Sequence, residues 1–205
     1  MKPKQKNRQA GTQAVSRRKF IGQSVKAALG TGIALGFPSI VPASVFGRFA
    51  PSNRINVAAI GVGRISRGHD MPGVWKHDFA RVMAVCDVDS RRVADGKSLV
   101  NEYYSKKEGK PYDAVKVYTD YRELLLNKDI DAVLISTPDH SHAMIGVAAA
   151  RAGKHIYMQK PASLTISEGR IMTEVINKSG VKFQIGSQQR SAEQFRYAAE
   201  LVRNG

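Results

Sequence analysis

The sequence predicts an α/β fold built on a doubly wound parallel sheet, and three observations carry that expectation. Short apolar runs of strand length alternate with helical stretches from residue 54 onward. Runs such as Asp131-Ala-Val-Leu-Ile-Ser136 lack polar alternation, the pattern of strands buried on both faces. The first run passes without a spacer into a glycine turn, Gly61-Val62-Gly63, as a strand does when it feeds a crossover helix.

Arg54 to Ile60 is the first strand, bounded by Pro51 and Gly61. Gly61-Val62-Gly63 stands where a dinucleotide fingerprint belongs. The first glycine permits the tight turn and the second lets backbone approach a pyrophosphate. The helix that follows turns its unpaired N–H groups and positive dipole end toward the phosphates. Gly61, Gly63, Arg64 and Ile65 are therefore candidate cofactor-binding residues. The third glycine of G-x-G-x-x-G is absent: Ser66 stands there, with Gly68 two residues on. The helix is expected from Ile65 or Ser66 into Val74, shortened or kinked by Pro72 and Gly73.

Phe79 to Cys86 is the second strand, and it ends in Asp87, roughly 20 residues after the turn, where a ribose-binding carboxylate belongs. An acid there accepts hydrogen bonds from the ribose 2′- and 3′-hydroxyls and repels a 2′-phosphate, which favours NAD over NADP. Arg91 and Arg92 moderate that preference, since nearby arginines accommodate the extra phosphate.

Ser90 to Tyr104 reads as a helix with Val93, Leu99, Val100 and Tyr103 or Tyr104 inward, followed by a polar loop from Lys106 to Pro111. Val115 to Tyr118 is a third strand, and Asp120 caps the helix Tyr121 to Leu126. The fourth strand runs into Thr137-Pro138-Asp139-His140-Ser141-His142 at its carboxyl end, where open α/β sheets bind ligands. Thr137 and Pro138 are candidate cofactor contacts through backbone and shape, and His140 is a third. The competing reading has Asp139 or Ser141 capping the next helix and the histidines satisfying backbone groups. That helix, Ala143 to Ala152, stops at Gly153, and His155 to Gln159 is strand five. Lys160-Pro161 follows on the ligand side of the sheet. Ser163 to Ser179 is a helix with Ile166, Ile171, Val175 and Ile176 inward, and Val181 to Ile185 is strand six. Gly186 to Arg190 leads to a last helix, Ala192 to Val202, with Gln188 and Arg190 as candidate substrate contacts.

The formal charge of +15 suggests a polyanion partner until it is divided along the chain. Residues 1–43 hold eight of the 32 Lys/Arg and none of the 17 Asp/Glu, leaving +7 spread over the remainder. That pattern, without a basic-aromatic module, argues against nucleic acid. The leader carries Ser16-Arg17-Arg18-Lys19-Phe20-Ile21 and then an uncharged, Gly- and Ala-rich run from Ala27 to Gly47. It resembles a twin-arginine (Tat) export signal, and its apolar core is too short for a bilayer span of roughly 20 residues. Residues 1–43 are expected to be that signal, 44–53 a linker, 54–187 the dinucleotide domain and 188–205 the start of a second domain. The expected location is the periplasm, or another compartment reached through the Tat machinery. Cys86 is the single cysteine, so no internal disulfide forms, and the five histidines show no metal-ligand spacing.

Five segments in this order and spacing resemble the cofactor domain of the Gfo/Idh/MocA family. They are A-A-I-G-V-G-R near residue 60, V-C-D-V-D at 85–89, Y-T-D-Y-R-E-L-L at 118–125, D-A-V-L-I-S-T-P-D-H-S-H at 131–142 and A-G-K-H-I-Y-M-Q-K-P at 152–161. The family's E-K-P motif falls on Gln159-Lys160-Pro161. The resemblance implies that Lys160 is the catalytic lysine, beside the nicotinamide and the substrate hydroxyl, and that Gln159 replaces the glutamate. The bond before Pro161 is a candidate for cis. The resemblance further implies reversible hydride transfer between NAD and a sugar or polyol carbon. It also implies a C-terminal α/β substrate domain missing from this chain, through which any homo-oligomer would form. Two alternatives stand beside this reading: an NAD-dependent glycosidase of the same family, and a noncatalytic NAD-binding fragment.

Overall fold

The computed structural model describes residues 53–205. β1 (Ile55–Ile60) leads through a π-helical turn, Ser66–Asp70, into α1 (Met71–Trp75) and then β2 (Ala80–Cys86). Next come α2 (Ser90–Glu108), β3 (Lys116–Tyr118), α3 (Tyr121–Leu126) and β4 (Ala132–Ile135). The chain continues through α4 (Asp139–Arg151), β5 (His155–Met158), α5 (Ile166–Ser179) and β6 (Phe183–Ile185). A 3-10 turn, Gln188–Ser191, precedes α6 (Glu193–Asn204). The leader and linker lie outside the described residues.

The six strands are parallel, in the order β3-β2-β1-β4-β5-β6. The chain starts at the centre and reverses its direction of travel between β1 and β4, so a crevice opens beyond the carboxyl ends of those two strands. This is the doubly wound Rossmann arrangement. The period of two along β1 shows how both faces are filled. Val57 and Ala59 join the cluster under α1 and α2, with Met71, Val82 and Val100, while Ala58 and Ile60 join the cluster under α4 and α5, with Ile145, Met158 and Met172.

Four elements differ from the sequence expectation. α2 runs past Tyr104 to Glu108, into the expected polar loop Lys106 to Pro111, and ends against Gly109 at φ +66°. Pro72 and Gly73 do not shorten the first helix, which runs to Trp75. The turn ahead of it is widened, Met71 N–H donates to Ser66 O, and Pro72 sits in the first turn of α1, where its missing donor is not needed. α4 begins at Asp139 rather than Ala143, with Pro138 in extended backbone (ψ 152°) as its N-cap. Neither Asp139 nor Ser141 caps it; the Ser141 hydroxyl instead donates to Pro138 O at 2.8 Å. α5 begins at Ile166, not Ser163, because Thr165 and Glu168 form a reciprocal capping box. Its inward face centres on Met172, with Val175 and Ile176 three and four residues on. Ile166 and Ile171 are 82% and 55% exposed, the reverse of their expected places, because Ile171 stands about 100° round the helix from Met172. Among the described residues no helix is long and apolar enough to cross a membrane.

Candidate functional site

The glycine turn is fastened by the two neighbouring strand ends. Gly61 has φ +83°, and its N–H donates to Cys86 O at 2.8 Å. Val62 N–H donates to Asp87 Oδ2 at 2.8 Å, and Asp89 N–H reaches the other oxygen, Oδ1, at 3.0 Å. The Asp87 carboxylate, 8% exposed, therefore holds the turn closed and still has one lone pair free on each oxygen for a ribose hydroxyl. Asp87→Asn turns one acceptor into a donor facing an N–H. It is expected to cost about 1–3 kcal/mol of stability and to weaken NAD binding together, read by urea melts and calorimetric titration of the full-length protein.

The two glycines serve different ends. A Cβ on Gly61 would lie 2.7 Å from Ser136 C and 2.8 Å from Ser136 O, inside the carboxyl end of β4. A Cβ on Gly63 would have only Arg92 Nη1 nearby, at 4.0 Å. The protein's own packing thus requires the first glycine but not the second, and the bare space over Gly63 suits close approach of a phosphate. Helix geometry begins there: Arg67 N–H donates to Gly63 O at 3.1 Å, which leaves the first-turn N–H groups for a ligand.

A crevice of about 440 Å³ opens beside this turn. Gly61, Gly63, Asp87, Thr137, Pro138 and His140 all line it, as do Arg92 and Arg122. Arg64 and Ile65 stand exposed on the first helical turn. A larger hollow, about 640 Å³, lies over the amino-terminal parts of β1, β4 and β5. Its apolar lining, which includes none of Gly61, Gly63 and Asp87, makes it an uncovered sheet face rather than the place for a dinucleotide.

One strand over from β4, β5 delivers Gln159-Lys160-Pro161 at its carboxyl end, and none of the three lines the crevice. Lys160 is exposed, and the bond to Pro161 is cis. The lysine's two neighbours are anchored on opposite sides of the sheet. Gln159, 5% exposed, donates through Nε2 to Asp70 Oδ1 at 2.6 Å, and Ser136 Oγ donates to Asp70 Oδ2 at 2.6 Å. On the α4 side the buried His142 donates from Nδ1 to Pro161 O. His142 therefore satisfies a backbone group. Gln188 and Arg190 fall on the 3-10 turn after β6 and do not line the crevice.

Burial, then the charges of Asp87, Asp120 and Glu123, push the Cys86 thiol from 9.0 up to about 12. Burial likewise pushes the Tyr104 phenol from 10.0 to about 12, opposed by the hydrogen bond it accepts from Val82 N–H. In both groups the unfolded chain releases its proton first. Their stabilisation is thus complete below pH 9 and is lost as pH rises toward 12. A lower urea midpoint at about pH 10.5 than at about pH 8, with Cys86 inert to thiol reagents until the chain unfolds, is the expected outcome.

The model of an oxidoreductase family described as an NAD-binding Rossmann fold, Gfo/Idh/MocA, matches residues 55–187. The chain belongs to the Gfo/Idh/MocA oxidoreductase family. NAD, favoured by Asp87, is the cofactor in that family description. Among its relatives, myo-inositol 2-dehydrogenase of Thermotoga maritima is 28% identical over 151 residues, which are 74% of this chain and 41% of that protein. Glycosyl hydrolase family 109 protein 2 of Shewanella sp. (strain ANA-3) is 32% identical over 167 residues, 74% of this chain and 35% of that protein. Scyllo-inositol dehydrogenase from Lactobacillus casei, solved with NAD(H) and scyllo-inositol bound, superimposes with a TM-score of 0.59 at 28% identity, covering 74% of this chain and 42% of that one. The chain thus spans well under half the length of each relative.

Within this Gfo/Idh/MocA domain the sequence reading missed three participants. Gly96, in the middle of α2, lets that helix close on the glycine turn: a Cβ there would meet Val62 Cγ1 at 2.4 Å. A glycine inside a helix costs about 1 kcal/mol, and that cost was the available signal. Arg122 lies in the Y-T-D-Y-R-E-L-L segment, but nothing local there placed it on the crevice, and Asp70 gave no sequence signal, because only the fold brings it to β4 and β5.

Proposed function

We propose that this chain is the cofactor-binding part of an exported NAD-dependent oxidoreductase that moves a hydride between nicotinamide and a hydroxyl-bearing carbon of a sugar or polyol. One observation carries the reading. Across the strand carboxyl ends, in sheet order, stand a carboxylate at Asp87 after β2, open space over Gly63 after β1 and an unpaired lysine at position 160 after β5, the order adenosine ribose, diphosphate, nicotinamide in which a dinucleotide extends. Gly61, Gly63, Arg64 and Ile65 take the phosphates; Asp87 takes the adenosine ribose; Thr137, Pro138 and His140 line the path toward Lys160.

Nicotinamide bound there supplies the hydride acceptor or donor. The protein's own part is the proton and the charge. Lys160 presents an ammonium to the substrate oxygen, stabilises the alkoxide that develops as the carbon is oxidised, and relays the proton. Gln188 and Arg190 contact the sugar from the 3-10 turn. Further substrate-binding groups and any homo-oligomer contact belong to chain beyond this domain. Ser16-Arg17-Arg18-Lys19-Phe20 supports Tat export of the protein, folded around its cofactor, to the periplasm.

The test is denaturing mass analysis of small molecules released by the full-length protein from its own compartment, followed by absorbance at the reduced-nicotinamide band across a panel of sugars and polyols. Bound NAD that accumulates in reduced form with a free sugar or polyol is expected; absence of any dinucleotide would sink the reading. The similarity to the family 109 glycosyl hydrolase favours a second reading, in which NAD is reduced and reoxidised within one turnover and a glycosidic bond is eliminated between. NAD that stays oxidised overall while a glycoside is cleaved would select it.

A further inference from the structure

The residue before Lys160 departs from the E-K-P pattern the chain otherwise resembles, and a buried carboxylate stands beside it. Gln159 is buried and would leave its amide unsatisfied on its own. Its Nε2 instead donates at 2.6 Å to Asp70, a carboxylate with no exposed side-chain surface, carried by the π-helical turn that follows the glycine loop. The second oxygen of Asp70 accepts from Ser136 Oγ at the end of β4, and His69 Nδ1 lies 3.4 Å from the first. Gly186, after β6, leaves the room: a Cβ there would stand 3.2 Å from Gln159 Nε2 and 2.7 Å from Tyr157 Oη.

We propose that Asp70 is a positioning residue for Lys160. A carboxylate at residue 70, across the sheet, is bonded to the amide at residue 159 and so acts on the residue that precedes the lysine. Three reasons favour this over a chance buried polar contact. A buried carboxylate is costly unless every hydrogen bond is made, so Asp70 is retained against a penalty that an apolar residue would avoid. Its partners are not scattered over the core: one is the residue preceding Lys160 and the other ends the strand beside it. Asp70 also lies in the same helical segment whose amino end faces the phosphates, so the pair ties the cofactor's diphosphate end of the crevice to its nicotinamide end. The bond to Asp70 anchors the Gln159 side chain on one side, its backbone N–H donates to Ile135 O at 2.9 Å, and His142 holds Pro161 O from the other side. Lys160, between them, is held by its backbone and has its ammonium free.

This inference rests on the proposed hydride transfer for its kinetic arm but not for its structural one. Asp70→Asn, Gln159→Glu and the exchanged pair Asp70→Asn with Gln159→Glu are made in the full-length protein. The pair restores one carboxylate and one amide with donor and acceptor reversed, and the amide oxygen introduced by Asp70→Asn still accepts from Ser136. Hydrogen exchange of the peptide spanning 158–164 is measured without cofactor, then NAD affinity by calorimetry, then steady-state rates with the best substrate of the sugar and polyol panel. Each single variant is expected to raise exchange in 158–164 and to lower kcat about tenfold or more, with NAD affinity within about threefold of the parent. The exchanged pair is expected to recover both exchange and kcat to within about threefold of the parent. The proposal is overturned if Asp70→Asn leaves 158–164 exchanging as in the parent, or if the exchanged pair behaves no better than the singles. A parent protein that binds no dinucleotide would remove the proposed function, while the exchange arm would still decide whether Asp70 holds the lysine segment.

Discussion

Gly61→Ala is expected to lower the stability of the domain by about 3 kcal/mol or more, whereas Gly63→Ala, two residues away, leaves stability within about 0.5 kcal/mol of the parent. The first effect has two sources. Gly61 has φ +83°, where an L side chain pays about 1–2 kcal/mol, and its Cβ would sit 2.7 Å from backbone of β4. That neighbour is Ser136 C and O, which cannot rotate away as a flexible side chain would; β1 and β4 must move apart, against the bond from Ser136 N–H to Ile60 O at 2.9 Å. Gly63 has neither constraint, so a methyl group there enters the space left for phosphate. Its expected effect falls on cofactor affinity, a loss of about tenfold or more, equal to about 1.4 kcal/mol. Thermal melts and calorimetric NAD titrations of both variants separate the two. A Gly61→Ala protein that melts like Gly63→Ala would contradict the packing of the turn against Ser136.

The same pair of glycines shows how far the sequence could be read. The parallel sheet was legible because β1, β2 and β4 are apolar on both faces and strand and helix lengths alternate, properties local to each segment. The crevice was legible because strand, glycine turn and Asp87 are spaced by a mechanism that fixes their distance in sequence. What escaped was set by contacts distant in the chain. Asp70 meets Gln159 across 89 residues, and nothing near Asp70 marks it as buried. The dual use of Asp87, as closure of the glycine turn as well as ribose acceptor, needed the bond from Val62 N–H to be seen. Ile166 and Ile171 were placed inward because they are apolar, although the side of α5 that meets the sheet is decided by Met172 against β5 and by Gly146, where a Cβ would meet the Met172 sulfur at 3.0 Å. The capping box Thr165-x-x-Glu168 was present in the sequence and would have placed the start of α5 correctly.

Lys160→Met is expected to reduce kcat by roughly 10²–10⁴ while leaving stability and NAD affinity near the parent values. The argument rests on where the lysine spends its interactions. Among the described residues Lys160 has no hydrogen-bond or ion-pair partner; its neighbours Gln159 and Pro161 make the contacts that hold the segment. An exposed side chain of that kind contributes within about 0.5 kcal/mol to folding, and methionine keeps its length and apolar stem. The Asp70 and His142 anchors persist in the variant, so backbone placement is retained and only the ammonium is lost. In the proposed reaction the ammonium acts chiefly as negative charge builds on the substrate oxygen, so its loss is expected in the transition state more than in binding. Lys160→Arg keeps the charge but spreads it over a planar fork that cannot easily give up a proton, and it is expected to recover substrate binding but little of the rate. Single-turnover reduction of NAD with the best substrate of the panel, alongside NAD titration and thermal melts, reads all three quantities. A Lys160→Met enzyme that turns over within about threefold of the parent would show that the oxygen is served by another group, and the role proposed for this lysine would fall.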